Sequence, residues 1–475
     1  MPVDAPQPSY EDLLAENAVL RAMVADLTVR LEQAMGRIAE LEARLKQTSA
    51  NSSKPPSSDG MAKPAPKSLR GRSGRGPGRP SGQPGTTLQQ VADPDVVVRH
   101  VPAVCGGCGD DLTDAVEVRT ARRQVFDVPD PTVVVTEHQI VTVACGCGHH
   151  TTAAAPDEAT APVCYGPRIA AIGVYLLHGQ FLSVGRTADA LSDVFGMPVA
   201  AGTVACWVKR TALGIIEQVL PVIADRIAAA PVAHFDETGL RVDGRLAWLH
   251  SASTATDVLL AVHRRRGTEA TDAIGILPRF TGVAVHDAWA PYDTYRHAVH
   301  ALCNAHALPE LLYVSDTATG EVAAFAEQAI HALRQLWRLV SAARAEQTEP
   351  DPAAVAQQAH LLRSAVVLGA RATAARTDKL QRKHHALFVR LRDRRADYLR
   401  FLTNPAVPFD NNPAEQTIRM PKLRIKVSGC MRTLTGAEHF AAIRSYTATA
   451  VRHGIGMLDA LIQAITGKPW IPATT

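Results

Sequence analysis

Pro231-Val-Ala-His-Phe-Asp236-Glu-Thr-Gly-Leu-Arg-Val242 is the stretch from which the rest of the chain can be read. Val232 to Phe235 are mostly apolar and β-prone, and Leu240 and Val242 lead across Asp243-Gly244 to Leu246, Trp248 and Leu249. That pattern is a strand entering a hairpin. Asp236 falls in the middle of it. A carboxylate buried in a strand is costly unless it is paired or binds a cation, so the position holds a salt bridge, a surface acid or a metal ligand.

A second apolar strand, Gly282-Val-Ala-Val-His-Asp287-Ala-Trp-Ala-Pro-Tyr292, again places an acid where its hydrophobic run stops. Much later, Phe409-Asp-Asn-Asn412-Pro-Ala-Glu415-Gln-Thr-Ile-Arg419 reads as a helix start with Asn412 as N-cap, Pro413 at N1 and Glu415 at N3. A Glu at N3 can also simply close a capping box, which gives Glu415 a structural alternative.

The three segments in this order resemble the acidic (DDE) triad of transposases with an RNase H-like fold, specifically the insertion sequence 66 family of bacterial transposases. The resemblance extends over nearly the whole chain. Its most specific pieces are Asp236-Glu-Thr, His286-Asp287-x-Trp-x-x-Tyr292, Asn411-Asn412-Pro-Ala-Glu415-x-x-Ile-Arg419, and Ser428-Gly-Cys-Met-Arg432 running into Gly436-Ala-Glu-x-Phe440-Ala-x-Ile-Arg-Ser-Tyr446. It implies a DNA transposase of the bacterial cytoplasm and nucleoid. Its partners would be double-stranded DNA, as element ends and as target, and other proteins of the same element. Asp236, Asp287 and Glu415 are the implied catalytic residues. Cleaving a phosphodiester and then attacking target DNA with a 3′ hydroxyl requires charge stabilisation on two oxygens in line. Two divalent ions about 4 Å apart supply this, and hard carboxylate oxygens hold them. Asp236 is expected to bridge both ions, with Asp287 on one side and Glu415 on the other. Mg²⁺ (or Mn²⁺) is the implied ion.

At 475 residues the chain is too long for one core of usual size, so several domains are expected. The apolar fraction, 46%, is ordinary, and no apolar run is long enough to span a membrane, since even Ile169 to Leu182 is short and carries His178. With no signal peptide at its start, the protein is expected in the cytoplasm. There, eight Cys point to metal or incidental thiols rather than a disulfide scaffold. The net charge of +4 is too small to argue for nucleic acid, so the distribution of charge has to.

Residues 9–47 show a coiled-coil seam, with Leu13, Leu20, Leu27, Ala34 and Leu41 in one column and Asn17, Val24, Leu31, Ile38 and Leu45 in the other. A single polar Asn17, with Glu16 facing Arg21 and Arg37 facing Glu42 of a partner, favours a parallel homodimer in register; the alternative is an amphipathic helix packed on its own protein. Residues 48–90 are a basic linker rich in Ser, Pro and Gly, too poor in apolar residues to fold alone. Residues 91–160 carry Cys105-Gly-Gly-Cys108 and Cys145-Gly-Cys147-Gly-His-His150 at the ends of a β-like stretch that includes Val116 to Val128 and Thr132 to Val143. Paired thiols on Gly-rich turns converge on one structural Zn²⁺ in many small modules. The one-residue spacing of the second pair leaves the fourth ligand open among Cys147, His149 and His150.

Within residues 161–228, Arg186 to Phe195, a turn at Gly196-Met-Pro198, and Ala200 to Ile216 have helix-turn-helix proportions, although ordinary helix pairs look alike. Thr203, Lys209 and Arg210 are the DNA-facing candidates there, and Lys422, Arg424, Lys426 and Arg432 those after Glu415. The expected fold is therefore multidomain α/β. A catalytic core over 229–435, with a helical insertion at about 321–402, follows the coiled coil, the zinc-binding β module and the helical segment, and C-terminal helices over 436–475 close it. Cys303-x-x-His306 recurs in several transposase groups and reads as a structural element. Two other readings stand beside the transposase: a dimeric zinc-containing DNA-binding regulator without catalysis, and an RNase H-like nuclease without strand transfer.

Overall fold

The computed structural model describes residues 9–47, 88–157, 159–376 and 378–473. Most of the basic linker, including Lys54, Lys63, Lys67, Arg70, Arg72, Arg75 and Arg79, lies outside the described residues. The predicted seam forms one helix, α1 (Tyr10–Lys46). Leu20, Val24, Leu27, Leu31, Ile38 and Leu41 along it are exposed, and the helix docks by its C-terminal end, where Ala43 is buried and Lys379 pairs with Glu40 at 2.6 Å.

Residues 88–165 differ from expectation. Strands β1 (Thr142–Ala144) and β2 (His150–Thr152) pair antiparallel around the second cysteine turn, but Val116 to Val128 and residues 132–141 are extended without a ladder. Val118 is 95% exposed and Val125 92%. Alternating Val and polar residues offer a strand one apolar face, and among the described residues nothing packs on that face to stabilise pairing.

Helices α2 (Pro167–His178), α3 (Val184–Phe195), α4 (Ala201–Gln218) and α5 (Leu220–Ala229) follow. Gly196, with φ of 60°, ends α3 in the left-handed turn that glycine tolerates best. The central sheet has strands β3 (Val232–Val242), β4 (Arg245–Ser253), β5 (Val258–His263), β6 (Val283–His286) and β7 (Val299–Leu302) in the order β5-β4-β3-β6-β7. The first three are antiparallel, and β6 and β7 join parallel. The predicted hairpin turns at Asp243 and Gly244, both with positive φ (53° and 68°). Helix α6 (Thr268–Ile274) sits between β5 and β6 and ends at Gly275, with φ of 76°.

Beyond β7, α7 (Asn304–Thr317) leads into the helical insertion: α8 (Glu321–Glu346), α9 (Pro352–Ala372), α10 (Lys379–Asp393) and the short α11 (Arg395–Tyr398) and α12 (Arg400–Thr403). Ala326, Ala329, Ile330, Leu333, Leu336 and Val340 fall on one face of α8 and pack with Leu362, Val366, Phe388 and Leu391 into a core that continues onto Val285 of β6 and Ala301 and Leu302 of β7. Helices α13 (Asn412–Ser428), α14 (Leu434–Arg452) and α15 (Met457–Ile465) complete the chain. One sheet face, with Ala233 and Phe235, packs on Ile223, Ile227, Phe280 and Tyr446; the other, with Leu240, Val242, Leu249 and Leu260, packs on Phe440 and Ala441 of α14.

Candidate functional site

Strand alternation puts Asp236 on the β3 face shared with Leu240 and Val242, and Glu237 on the opposite face. Strand β6 runs parallel to β3 in the register Val232↔Val283, Ala233↔Ala284, His234↔Val285. Continued to the strand end, the same register sets Asp236 beside Asp287. The two acids therefore neighbour each other because β6 ends, at His286, level with the middle of the longer β3. Asp287 is held where it emerges, since the Trp289 N–H donates to its Oδ1 at 3.1 Å.

The third acid arrives from a helix whose start differs by one residue from the sequence reading. Helix α13 begins at Asn412, so Asn411 is the N-cap residue, Pro413 falls at N2 and Glu415 at the fourth helical position. No capping box forms, because the Asn411 side chain is used elsewhere. Its Nδ2 donates to the Phe235 carbonyl at 2.8 Å, and its Oδ1 accepts from His234 Nδ1 at 2.8 Å. Both partners immediately precede Asp236 on β3. From the other side, Cys303 Sγ accepts the Asn411 N–H at 3.2 Å, and the Asn304 N–H donates to the Phe409 carbonyl at 3.1 Å. The segment 409–411 is thus fastened to β3 and to the residues that follow β7, one turn before Glu415.

The carboxylate oxygens of the three acids do not all lie within 4.8 Å of one another, but their charges act on one another. Burial raises the Asp236 carboxyl first, and the neighbouring Glu237, Asp287 and Glu415 raise it further, to about 8, against one backbone N–H that lowers it. Among the described residues the only cation that pairs with any of the three is the exposed Arg419, at 3.4 Å from Glu415 Oε2, apart from His306 at 3.9 Å. Structural salt bridges would have brought cations in. Hard carboxylate oxygens gathered without compensating charge are instead the donor set that Mg²⁺ or Mn²⁺ takes.

Glu237 has a different fate from Asp236. Its side chain is 1% exposed, and Arg266 donates to Oε1 at 2.9 and 2.7 Å while the Tyr292 hydroxyl donates to Oε2. Burial still raises its carboxyl, opposed by Tyr292 and Arg266. Arg266 itself lies between two indoles, 4.8 Å from the Trp248 ring and 4.1 Å from that of Trp289. This paired acid braces the sheet behind Asp236.

Comparison with known families agrees with these motifs. The sequence pattern of the transposase IS66 family matches residues 162–439, more than half of the chain and all three acids. The chain belongs to the IS66 family of transposases. The zinc-finger binding domain of transposase IS66 matches residues 102–148, and a family of unknown function (DUF6444) matches residues 5–89. No curated protein sequence matches the chain.

The zinc-finger match of this IS66-family chain takes in Cys105, Cys108, Cys145 and Cys147 and ends before His149 and His150. Within each knuckle the thiols are close. Backbone N–H groups of Cys108 and Gly107 and the Cys108 thiol pull Cys105 down to about 7, and the Cys147 N–H and thiol lower Cys145. That favours the thiolate, the form that binds zinc. The two pairs do not come close enough together to share one ion, however. The sets of three ligand atoms that do so, among the described residues, are Cys303, His306 and Glu415, and His286, Asp293 and His300. In the latter set His300 Nδ1 donates to His286 Nε2 at 3.0 Å and Asp293 pairs with Arg394, so its members already have partners.

Of the predicted DNA-facing residues, Lys209, Arg210, Lys422, Lys426 and Arg432 are exposed and Thr203 is half-buried at the start of α4. Arg424 does not fit that role. Its guanidinium donates to the Gly429 carbonyl at 3.0 Å and lies 5.7 Å from the Phe440 ring, so it closes the end of α13. Sequence reasoning left Glu237, Arg266, Asn411 and His306 without a part in the site. Tyr292 and Asn411 stand inside the quoted motifs, whereas Arg266 gives no signal beyond the run Arg264-Arg265-Arg266.

Proposed function

We propose that this IS66-family protein cuts DNA at the ends of its own element and joins the freed 3′ ends to target DNA, using Asp236, Asp287 and Glu415 on an RNase H-like core. What supports this is the parallel register that sets Asp236 of β3 beside Asp287 at the end of β6, the charge of Glu415 acting on Asp236 from a helix start nearly two hundred residues on, and the lack, among the described residues, of any cation beside the three other than Arg419 and His306. The sheet order β5-β4-β3-β6-β7, three antiparallel strands joined by two parallel ones, supports the RNase H-like reading. Divalent ions, when bound, supply the Lewis acid that stabilises the attacking and leaving oxygens. Asp236, Asp287 and Glu415 are the residues that would hold these ions. Lys209, Arg210, Lys422, Lys426 and Arg432 are the exposed cations suited to DNA phosphates, with Thr203 beside them.

The test is incubation of the full chain with DNA carrying the ends of its element in Mg²⁺ or Mn²⁺. Nicks exposing a 3′ hydroxyl at the element boundary, followed by joined products, are expected. Asp236→Asn, Asp287→Asn and Glu415→Gln should each slow cleavage at least about a thousandfold while leaving DNA binding intact. Near-normal cleavage by Asp236→Asn would overturn the proposal, and nicks without joined products would reduce the activity to a nuclease.

A further inference from the structure

His306 stands in the first turn of α7, three residues after Cys303 and facing the start of α13. Its Nδ1 is enclosed and has no hydrogen-bond partner, although the ring as a whole is 30% exposed. An enclosed ring nitrogen without a partner is unusual. Glu415 Oε1 lies 3.9 Å from that nitrogen, too far for a hydrogen bond. It is not too far for a shared ion: two ligand bonds of about 2.1 Å each span up to about 4.2 Å.

We infer that His306 Nδ1 is a fourth ligand of the active centre, binding the same divalent ion as Glu415. The inference rests on the proposed ion site. Cys303, the remaining member of the cluster, is not a ligand by this reading. Its sulfur already accepts the Asn411 N–H at 3.2 Å. The Cys303-x-x-His306 spacing therefore divides the work. Cys303, with Asn304, fixes the segment that carries Glu415, and one helical turn later His306 presents a nitrogen to the ion that Glu415 holds. An imidazole ligand in an otherwise carboxylate set biases the centre toward Mn²⁺ over Mg²⁺, because nitrogen donors suit the softer transition ions.

Electron spin-echo spectroscopy of Mn²⁺ bound to the full-length protein reads this directly, since a coordinated imidazole modulates the echo at ¹⁴N frequencies. The native protein should show ¹⁴N modulation that changes to a ¹⁵N pattern when histidine is ¹⁵N-labelled. His306→Gln and His306→Asn should still bind Mn²⁺, roughly tenfold more weakly, without the modulation. Asp236→Asn should lose the ion, which assigns the signal to the triad. Mn²⁺ that depends on Asp236 but shows no nitrogen modulation, or modulation that persists in both His306 variants, overturns the inference and leaves the proposed function standing. Mn²⁺ binding that does not depend on Asp236 overturns both.

Discussion

Among single residues, Asn411 determines where the third acid sits. Its side chain ties the start of α13 to His234 and to the Phe235 carbonyl, the two residues just before Asp236. Asn411→Ala leaves both of those buried groups without a partner, which should cost about 2–4 kcal/mol in chemical denaturation. By loosening Glu415 it should also slow DNA cleavage by roughly a hundredfold. A stable variant with native cleavage would show that Glu415 needs no such anchor. Asp236 and Asp287 stand out in the sequence because an acid interrupting or ending an apolar strand is a local anomaly, whereas Glu415, at a helix start, is singled out by the resemblance. The role of Asn411 was not legible: Asn411 and Asn412 are equivalent as N-caps in a linear reading, and only the strand lying beside Asn411 separates them. His306 was hidden for the same reason, since the carboxylate it faces is more than a hundred residues away.

At the level of elements, the sequence reading was most reliable where a periodic pattern met a buried partner. The β3–β4 hairpin, β5, the helices of the insertion, and α14 and α15 stand close to where their patterns put them, because each buries the face its periodicity marks. The stretch between the cysteine knuckles misled for the complementary reason: its Val residues alternate, yet no second layer covers them. One zinc bound by Cys105, Cys108, Cys145 and Cys147 would supply the cross-link that a small module without a core needs. Elemental analysis after dialysis against a mild chelator should find one zinc per chain, lost when Cys105 and Cys108 are both replaced by Ser. Freshly prepared protein without zinc, or a double variant that retains it, would rule this out.

For the whole molecule, two features demand a partner or a ligand. The first is α1, whose apolar seam is exposed along most of its length, as a parallel dimer would require. Sedimentation of the full chain should give a dimer, and a chain beginning at Leu88 a smaller assembly; equal states for both would refute pairing through α1. The second is the clustering of charge at the end of the sheet. Asp236 titrates near 8 in the folded protein but near 3.8 when unfolded, so the fold favours its protonated form. The stabilisation this gives is complete below about pH 4 and is lost as pH rises through 8. Asp236→Asn escapes that loss. Thermal unfolding of the native protein and of Asp236→Asn, from pH 4 to 9 in chelator and again with Mn²⁺, is the most direct measurement of whether the three acids form an ion site. In chelator the variant should melt above the native protein by a margin that grows up to about pH 8 and then levels off, and Mn²⁺ should raise the native melting temperature but not the variant's. A variant that melts lower than the native protein in chelator, with no effect of Mn²⁺ on either, would mean that the acids are structural salt bridges.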